Sequence, residues 1–182
     1  MEFDFLANHA DSLPDKPAFI LGDRTLDFAT LHRQASRVAN VFTSLGCVEG
    51  DRVAWMSFNS LDGAEIANGL RRAGLVIVPV NYRLRGPEIA HVLNDSGAKV
   101  AAAGPDHVQA MNAARADVKG DVTFVAVGDE TPTGWVPFRD LMARSSEQFE
   151  MVNNGLGASM IYTSGTTGHP KGAWRPNGVN IA

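Results

Sequence analysis

The sequence predicts an α/β fold: a mostly parallel, doubly wound sheet with helices on both faces. Three observations predict it. Short apolar runs alternate with longer stretches of helical periodicity along nearly the whole chain. The runs are apolar throughout rather than at every second residue, as in strands buried on both faces. Glycine or proline punctuates most of the junctions. One globular domain is expected, because 182 residues with 45% hydrophobic and 20% charged content are enough to bury about 70% of the unfolded surface in one core.

The elements follow in order. Phe5 to Ala10 predicts a short helix stopped by Pro14 and Pro17, and Ala18 to Leu21 and Arg24 to Leu26 flank a Gly22-Asp23 turn as a small hairpin. Asp27 is placed to cap a helix carrying Leu31, Ala35, Val38, Ala39, Phe42 and Leu45 on one face, with Gly46 past its end. His32 and Arg33 lie off that stripe and read as solvated. Arg52 to Ser57 is a buried strand, Asn59 or Ser60 caps the helix through Ile66 and Leu70 to Gly74, and Leu75 to Val80 is the next strand. Pro87 at a first helical position, Ile89, Val92 and Leu93 behind it and Gly97 at the exit mark another helix. Val100 to Ala103, a helix over about 106–116, and Val122 to Val127 continue the alternation. Gly128 to Pro137 reads as a surface excursion, and Ser145 to Gly155 as a polar approach to the last strand, Ser159 to Tyr162.

Charge and composition exclude several functions. A formal net charge of -4 with no concentrated basic face argues against nucleic-acid binding. Cys47 is the only cysteine, so no internal disulfide can form; it reads as a small buried apolar residue in a protein of the reducing cytoplasm. The acidic start at Glu2 and Asp4 is unlike a secretory leader, and no apolar run approaches the ~18 residues of a membrane span. His9, His32, His91, His107 and His169 show no paired ligand spacing, so no protein-built metal site is expected. Asp129 and Glu130 read as solvated loop acids, and Asn81 to Leu84 as a strand-to-helix turn in preference to a ligand contact.

Chemistry concentrates where the last strand breaks into Thr163-Ser164-Gly165-Thr166-Thr167-Gly168-His169-Pro170-Lys171-Gly172. Glycines let successive amide N–H groups converge on an anion, short hydroxyls add donors, and a flexible lysine supplies a point charge suited to phosphate oxygens. A Walker A loop is excluded by spacing, because Pro170 stands where the second glycine belongs. A dinucleotide fingerprint also fails, since Gly155 and Gly157 are followed by Met160 in the third glycine position.

The run from Tyr162 to Gly172 resembles the ATP-phosphate signature of the adenylate-forming (AMP-binding) enzymes: acyl-CoA synthetases, luciferases and peptide-synthetase adenylation domains. The order of Gly22 to Phe28, Leu45-Gly46, Glu49 to Ala54, Asn59-Ser60, Ala73-Gly74, Val78 to Asn81 and Arg83-Leu84 is similar to that family too. The resemblance implies an ATP-dependent acid–thiol ligase in which Thr163, Ser164, Gly165, Thr166, Thr167, Gly168 and Lys171 hold the ATP phosphates. Magnesium is expected with ATP and coenzyme A as co-substrate. The run Ala173 to Gly178 points to the fatty-acyl-CoA ligase branch, hence to a fatty acid as carboxylate.

On the same resemblance, residues 1–182 correspond to one N-terminal α/β domain, incomplete at its C-terminal end. The family's adenine, ribose and acyl sites and its catalytic lysine fall outside the chain, so no catalytic residue is assigned. The chain alone is then expected to be inactive, with an open sheet edge that favours a homodimer. The rival reading is a non-catalytic nucleotide- or protein-binding remnant of such an enzyme.

Overall fold

A computed structural model describes residues 4–152, 158–163 and 170–175, with the side chain of Arg175 excepted. Helix α1 (Phe5–Ser12) starts at Asp4, whose carboxylate accepts the Ala7 N–H at 3.0 Å. Strands β1 (Pro17–Leu21) and β2 (Arg24–Asp27) pair antiparallel as a separate two-stranded sheet, turned by Gly22 at φ 62. Asp27 caps α2 (Phe28–Ser44), accepting the Thr30 N–H at 2.6 Å, and this bond holds its carboxyl below the ordinary value. Strand β3 (Arg52–Met56) leads to α3 (Leu61–Arg72), capped by Ser60 through the Gly63 N–H at 3.0 Å.

Strand β4 (Val76–Pro79) leads to α4 (Gly86–Ser96). Pro87 stands one position further into α4 than the sequence suggests, because Arg85 is the cap and Glu88 folds back to accept its N–H at 3.0 Å. After β5 (Val100–Ala103) the predicted helix over 106–116 is only α5 (Val108–Ala114), flanked by tighter turns at Pro105–His107 and Arg115–Asp117. The remaining elements are β6 (Thr123–Ala126), β7 (Val136–Pro137), α6 (Phe138–Arg144), β8 (Ser159–Thr163) and β9 (Lys171–Arg175).

The main sheet has the order β7-β6-β5-β3-β4-β8-β9, parallel except for the antiparallel pair β8 and β9. Strand alternation feeds two cores. Ala54, Met56, Val78, Ala101, Ala103, Phe124 and Ala126 face α4 and α5, whereas Val53, Val100, Ala102, Val125 and Val127 face α2, α3 and α6. This is the doubly wound arrangement predicted from strands that are apolar at every position. Helices α2 and α3 touch closely at Gly69, where a Cβ would lie 2.3 Å from the Cβ of Val38.

Two predicted regions come out differently. The excursion at 128–137 is partly structured, with Trp135 buried and bonded through Nε1 to the Asn112 Oδ1 at 3.0 Å, and with β7 and α6 following. A strand of two residues carries too little periodicity to be read from sequence. His32 is half-buried rather than solvated, and burial pushes its pKa down. Arg33 is exposed as expected.

The polar approach is pinned to the helices. Arg37 donates to Met142 O at 2.8 Å and pairs with Glu147 at 2.9 Å, and Asn40 donates to the carbonyls of Ser146 and Gln148. Arg72, 5% exposed, pairs with Asp4 at 2.5 Å and donates to Phe149 O at 3.1 Å, while its own carbonyl accepts the Val152 N–H. Cys47 is buried and its thiol is pushed up to about 11, chiefly by burial, so it stays an unreactive apolar group at neutral pH.

Candidate functional site

Because β3, β4, β5 and β8 run parallel, their carboxyl ends share one edge, where ligands of open α/β sheets bind. The chain passes from β3 to β4 on one side and returns past β3 to β5 on the other, so the topological switch falls between β3 and β5. That crevice is filled by side chains. Phe58, after β3, packs edge-on to buried His107, after β5, with ring centroids 4.5 Å apart, and on Tyr82, after β4, at 5.0 Å. Arg83 lies 5.4 Å over the Tyr82 ring. Asn81 works as a turn residue, its side chain accepting the Arg83 N–H and its carbonyl the Leu84 N–H, both at 3.0 Å, in line with the structural reading.

The candidate phosphate site lies further along the same edge, at the end of β8. Thr163 is the last residue of β8 and Lys171 the first of β9, and the two stand directly opposite each other in the antiparallel register. Opposed residues project from the same face about 4.5–5.5 Å apart. Both side chains are exposed. The intervening Ser164, Gly165, Thr166, Thr167 and Gly168 lie outside the described residues. The hairpin thus brings the first hydroxyl and the cation of the motif together, while β9 itself was not legible in Ala173-Trp174-Arg175.

The other face of the hairpin is tied to α4. Met160 and Tyr162 pack against the α4 and α5 core. The Tyr162 hydroxyl donates to Asp95 Oδ2 at 2.6 Å, and His91 Nε2 donates to Pro170 O at 3.1 Å. Burial first, and Asp95 second, push the Tyr162 pKa up, so the phenol keeps its proton. Gly172 suits this packing, since a Cβ there would press on the Tyr162 ring, 3.0 Å from Cζ. His91 and Asp95 were missed in the sequence; their spacing of four on one helix was the available signal, and nothing in it pointed to the hairpin.

The opposite face of this side of the sheet is apolar and open. A groove of about 530 Å³ runs between β1, α3 and β4, lined by Phe19, Ile20, Phe58, Ala64, Ile77 and Pro79, and Ile161 on β8 is 47% exposed. The outer edge of β9 has no strand partner among the described residues. No group of three or more His, Cys, Asp or Glu able to hold a metal ion, and no helix long and apolar enough to cross a membrane, occurs among the described residues.

Comparison with known proteins gives this edge its context. The family profile described as AMP-binding enzyme matches residues 6–178. A fatty acid–[acyl-carrier-protein] ligase from Streptomyces coeruleorubidus is 35% identical over 167 residues, covering 90% of this chain and 30% of that protein. A long-chain-fatty-acid–CoA ligase from Mycobacterium tuberculosis is 36% identical over 152 residues, covering 82% of this chain and 29% of its own. In fold, the crystal structure of an anthranilate CoA ligase in complex with anthranoyl-AMP superposes with a TM-score of 0.85 at 24% identity, over 96% of this chain and 35% of that one. The chain therefore spans about a third of the length of the relatives it matches. With a profile covering almost all of the chain, and the doubly wound sheet and its edge hairpin beneath it, the protein belongs to the AMP-binding enzyme family.

Proposed function

We propose that residues 1–182 form the N-terminal, phosphate-holding part of an ATP-dependent acyl-CoA ligase. The observation that carries the reading is the pairing of Thr163 with Lys171 at the carboxyl edge of the sheet, in a chain whose family profile spans the whole hairpin. On this reading Thr163, Ser164, Gly165, Thr166, Thr167, Gly168 and Lys171 hold the β- and γ-phosphates. A carboxylate oxygen attacks the α-phosphorus and the P–O bond to pyrophosphate breaks, giving an acyl-adenylate. The thiol of coenzyme A then attacks the acyl carbon, the carbon–oxygen bond to AMP breaks, and a thioester results.

The contribution of this chain is to orient pyrophosphate as leaving group and to spread its charge, which is positioning and electrostatic work. Magnesium would enter with the ATP substrate, bound by its phosphates. The fatty-acid class of substrate, coenzyme A as thiol, a cytoplasmic setting and a homodimer formed through the open apolar face belong to the same proposal. A non-catalytic nucleotide- or protein-binding remnant is the second reading, and the packing of Phe58 on Tyr82 and His107 across the switch point is the observation on its side.

Thermal unfolding with pyrophosphate tests the proposal. A ligand at ten times its dissociation constant stabilises the fold by about 1.4 kcal/mol, a rise of roughly 3–6 °C for a domain of this size. Lys171→Ala should abolish most of the rise and leave the unliganded midpoint in place, because Lys171 is exposed. Arg33→Ala, equally exposed, should keep it. No rise at millimolar pyrophosphate, or an unchanged rise in Lys171→Ala, rejects the site.

A further inference from the structure

We propose that His91 and Asp95 of α4 are positioning residues for this phosphate site, clamping the two arms of the β8–β9 hairpin and thereby fixing where Lys171 stands. The inference rests on the phosphate-site reading and goes beyond it to residues outside the motif. Strand β8 lies beside β4, and the register pair between them, Ile77 and Ser159, falls at the start of β8. Thr163 is four residues beyond that pair, roughly 13 Å along an extended strand. Towards that end, α4 adds side-chain bonds to the support given by β4.

The two ties fall at the loop end, one on each arm. Asp95 accepts the Tyr162 hydroxyl on the arm entering the loop, at 2.6 Å, a short bond to a charged acceptor. His91, one helical turn away on the same face of α4, donates from Nε2 to the Pro170 carbonyl on the arm leaving it, at 3.1 Å, one residue before Lys171. The Tyr162 ring crosses over Gly172 on its way to Asp95, so the incoming tie also bears on the outgoing arm. None of the three side chains belongs to the loop. Each acts on where the backbone of residues 162–163 and 170–171 sits, and that placement decides whether the Lys171 ammonium meets a phosphate without a reorganisation cost.

Pyrophosphate binding to the full chain, measured by titration calorimetry beside the unliganded melting temperature, tests this. Tyr162→Phe, which removes one oxygen, together with His91→Ala and Asp95→Ala, should each weaken binding about three- to tenfold, the range of one lost hydrogen bond. Asp95→Asn keeps an acceptor for the phenol and His91→Gln keeps a donor for the carbonyl, so both should bind within about twofold of the parent, the resolution of such a comparison. A purely structural role would lower the melting temperature without this split. The proposal is overturned if Tyr162→Phe and His91→Ala bind like the parent, or if the conservative variants are as weak as the alanine ones. A parent that does not bind pyrophosphate rejects the phosphate site itself, and the clamp with it, an outcome distinct from a binding parent with unchanged variants. Should an alanine variant not fold, Tyr162→Phe and His91→Gln decide alone.

Discussion

The centre of the sheet and its edge are built on opposite terms. Strands β5, β3 and β4 are paired along their whole length and their side chains end in one of two closed cores, so Ala54, Val100 and Ala101 have no exposure at all. The β8–β9 hairpin joins the sheet at β4, exposes Ile161 and Trp174, and takes two further side-chain bonds from α4. The difference teaches which residues are committed to burial and which remain open to solvent. The centre is fixed by burial that no ligand needs to share, and the edge keeps hydroxyl and ammonium groups in water where an anion can reach them.

The comparison breaks most visibly by loosening the centre. Leu70→Ala, in the core between α2, α3 and the sheet, should cost about 3–4 kcal/mol as a cavity opens, seen as a large fall in thermal midpoint. Because Leu70 lies in the core on the side of the sheet away from α4, the same variant, at a temperature where it is folded, should bind pyrophosphate like the parent. A smaller effect is expected from Asp4→Ala. It leaves the Arg72 guanidinium, with Nε already lacking a partner, buried without its counter-ion, at about 2 kcal/mol because Asp4 itself is partly exposed. Arg72 also holds Phe149 O and the Val152 N–H, so protease cleavage after residue 145 should accelerate in this variant before the core opens.

How much was legible in the sequence follows the same division. The centre was readable because each signal there is local and repeated: Asp27 and Ser60 cap, Gly46 and Gly97 exit at positive φ, and the strands are apolar at every position. The edge was readable only as a motif. Thr163 and Lys171 were named as members of one motif, yet their pairing across β8 and β9 was not foreseen, and the ties from His91 and Asp95 depend on contacts about 70 to 80 residues apart in the chain. His32 was misjudged for a related reason, because its burial and the nearby charges of Arg72 and Asp4 come from other elements, which no periodicity within α2 reveals. Strand β7 and helix α6 escaped because Pro132, Gly134 and Pro137 read as loop punctuation, while the buried ring of Trp135 that anchors the segment is a tertiary fact.

The smallest effect separates the regions by pH. Glu65 lies on α3, the helix that borders both the closed core and the open groove, and its pKa is pushed up to about 7, first by burial and then by neighbouring Asp62, with Arg24 opposing. A carboxyl that binds its proton more tightly when folded than when unfolded makes the fold less stable as pH rises from about 4.5, and the loss is complete above about 7. His32 contributes with the opposite sign: its lowered pKa means stability is lost as pH falls below the ordinary histidine value. The Tyr162 phenol, pushed upward, contributes nothing in this range. Subtracting the midpoints of Glu65→Gln from those of the parent removes His32 and isolates Glu65. The two proteins should melt together near pH 4.5 and diverge as pH rises, with the variant higher above pH 7 by about 1 kcal/mol after allowance for the water that still reaches the group, or roughly 2–4 °C. A constant difference across pH would mean that Glu65 is neutralised in the fold by a partner such as Arg24, and that the flank of α3 beside the groove is as wet as the hairpin edge. Pyrophosphate binding by Glu65→Gln should match the parent throughout, since among the described residues the sheet separates α3 from Lys171.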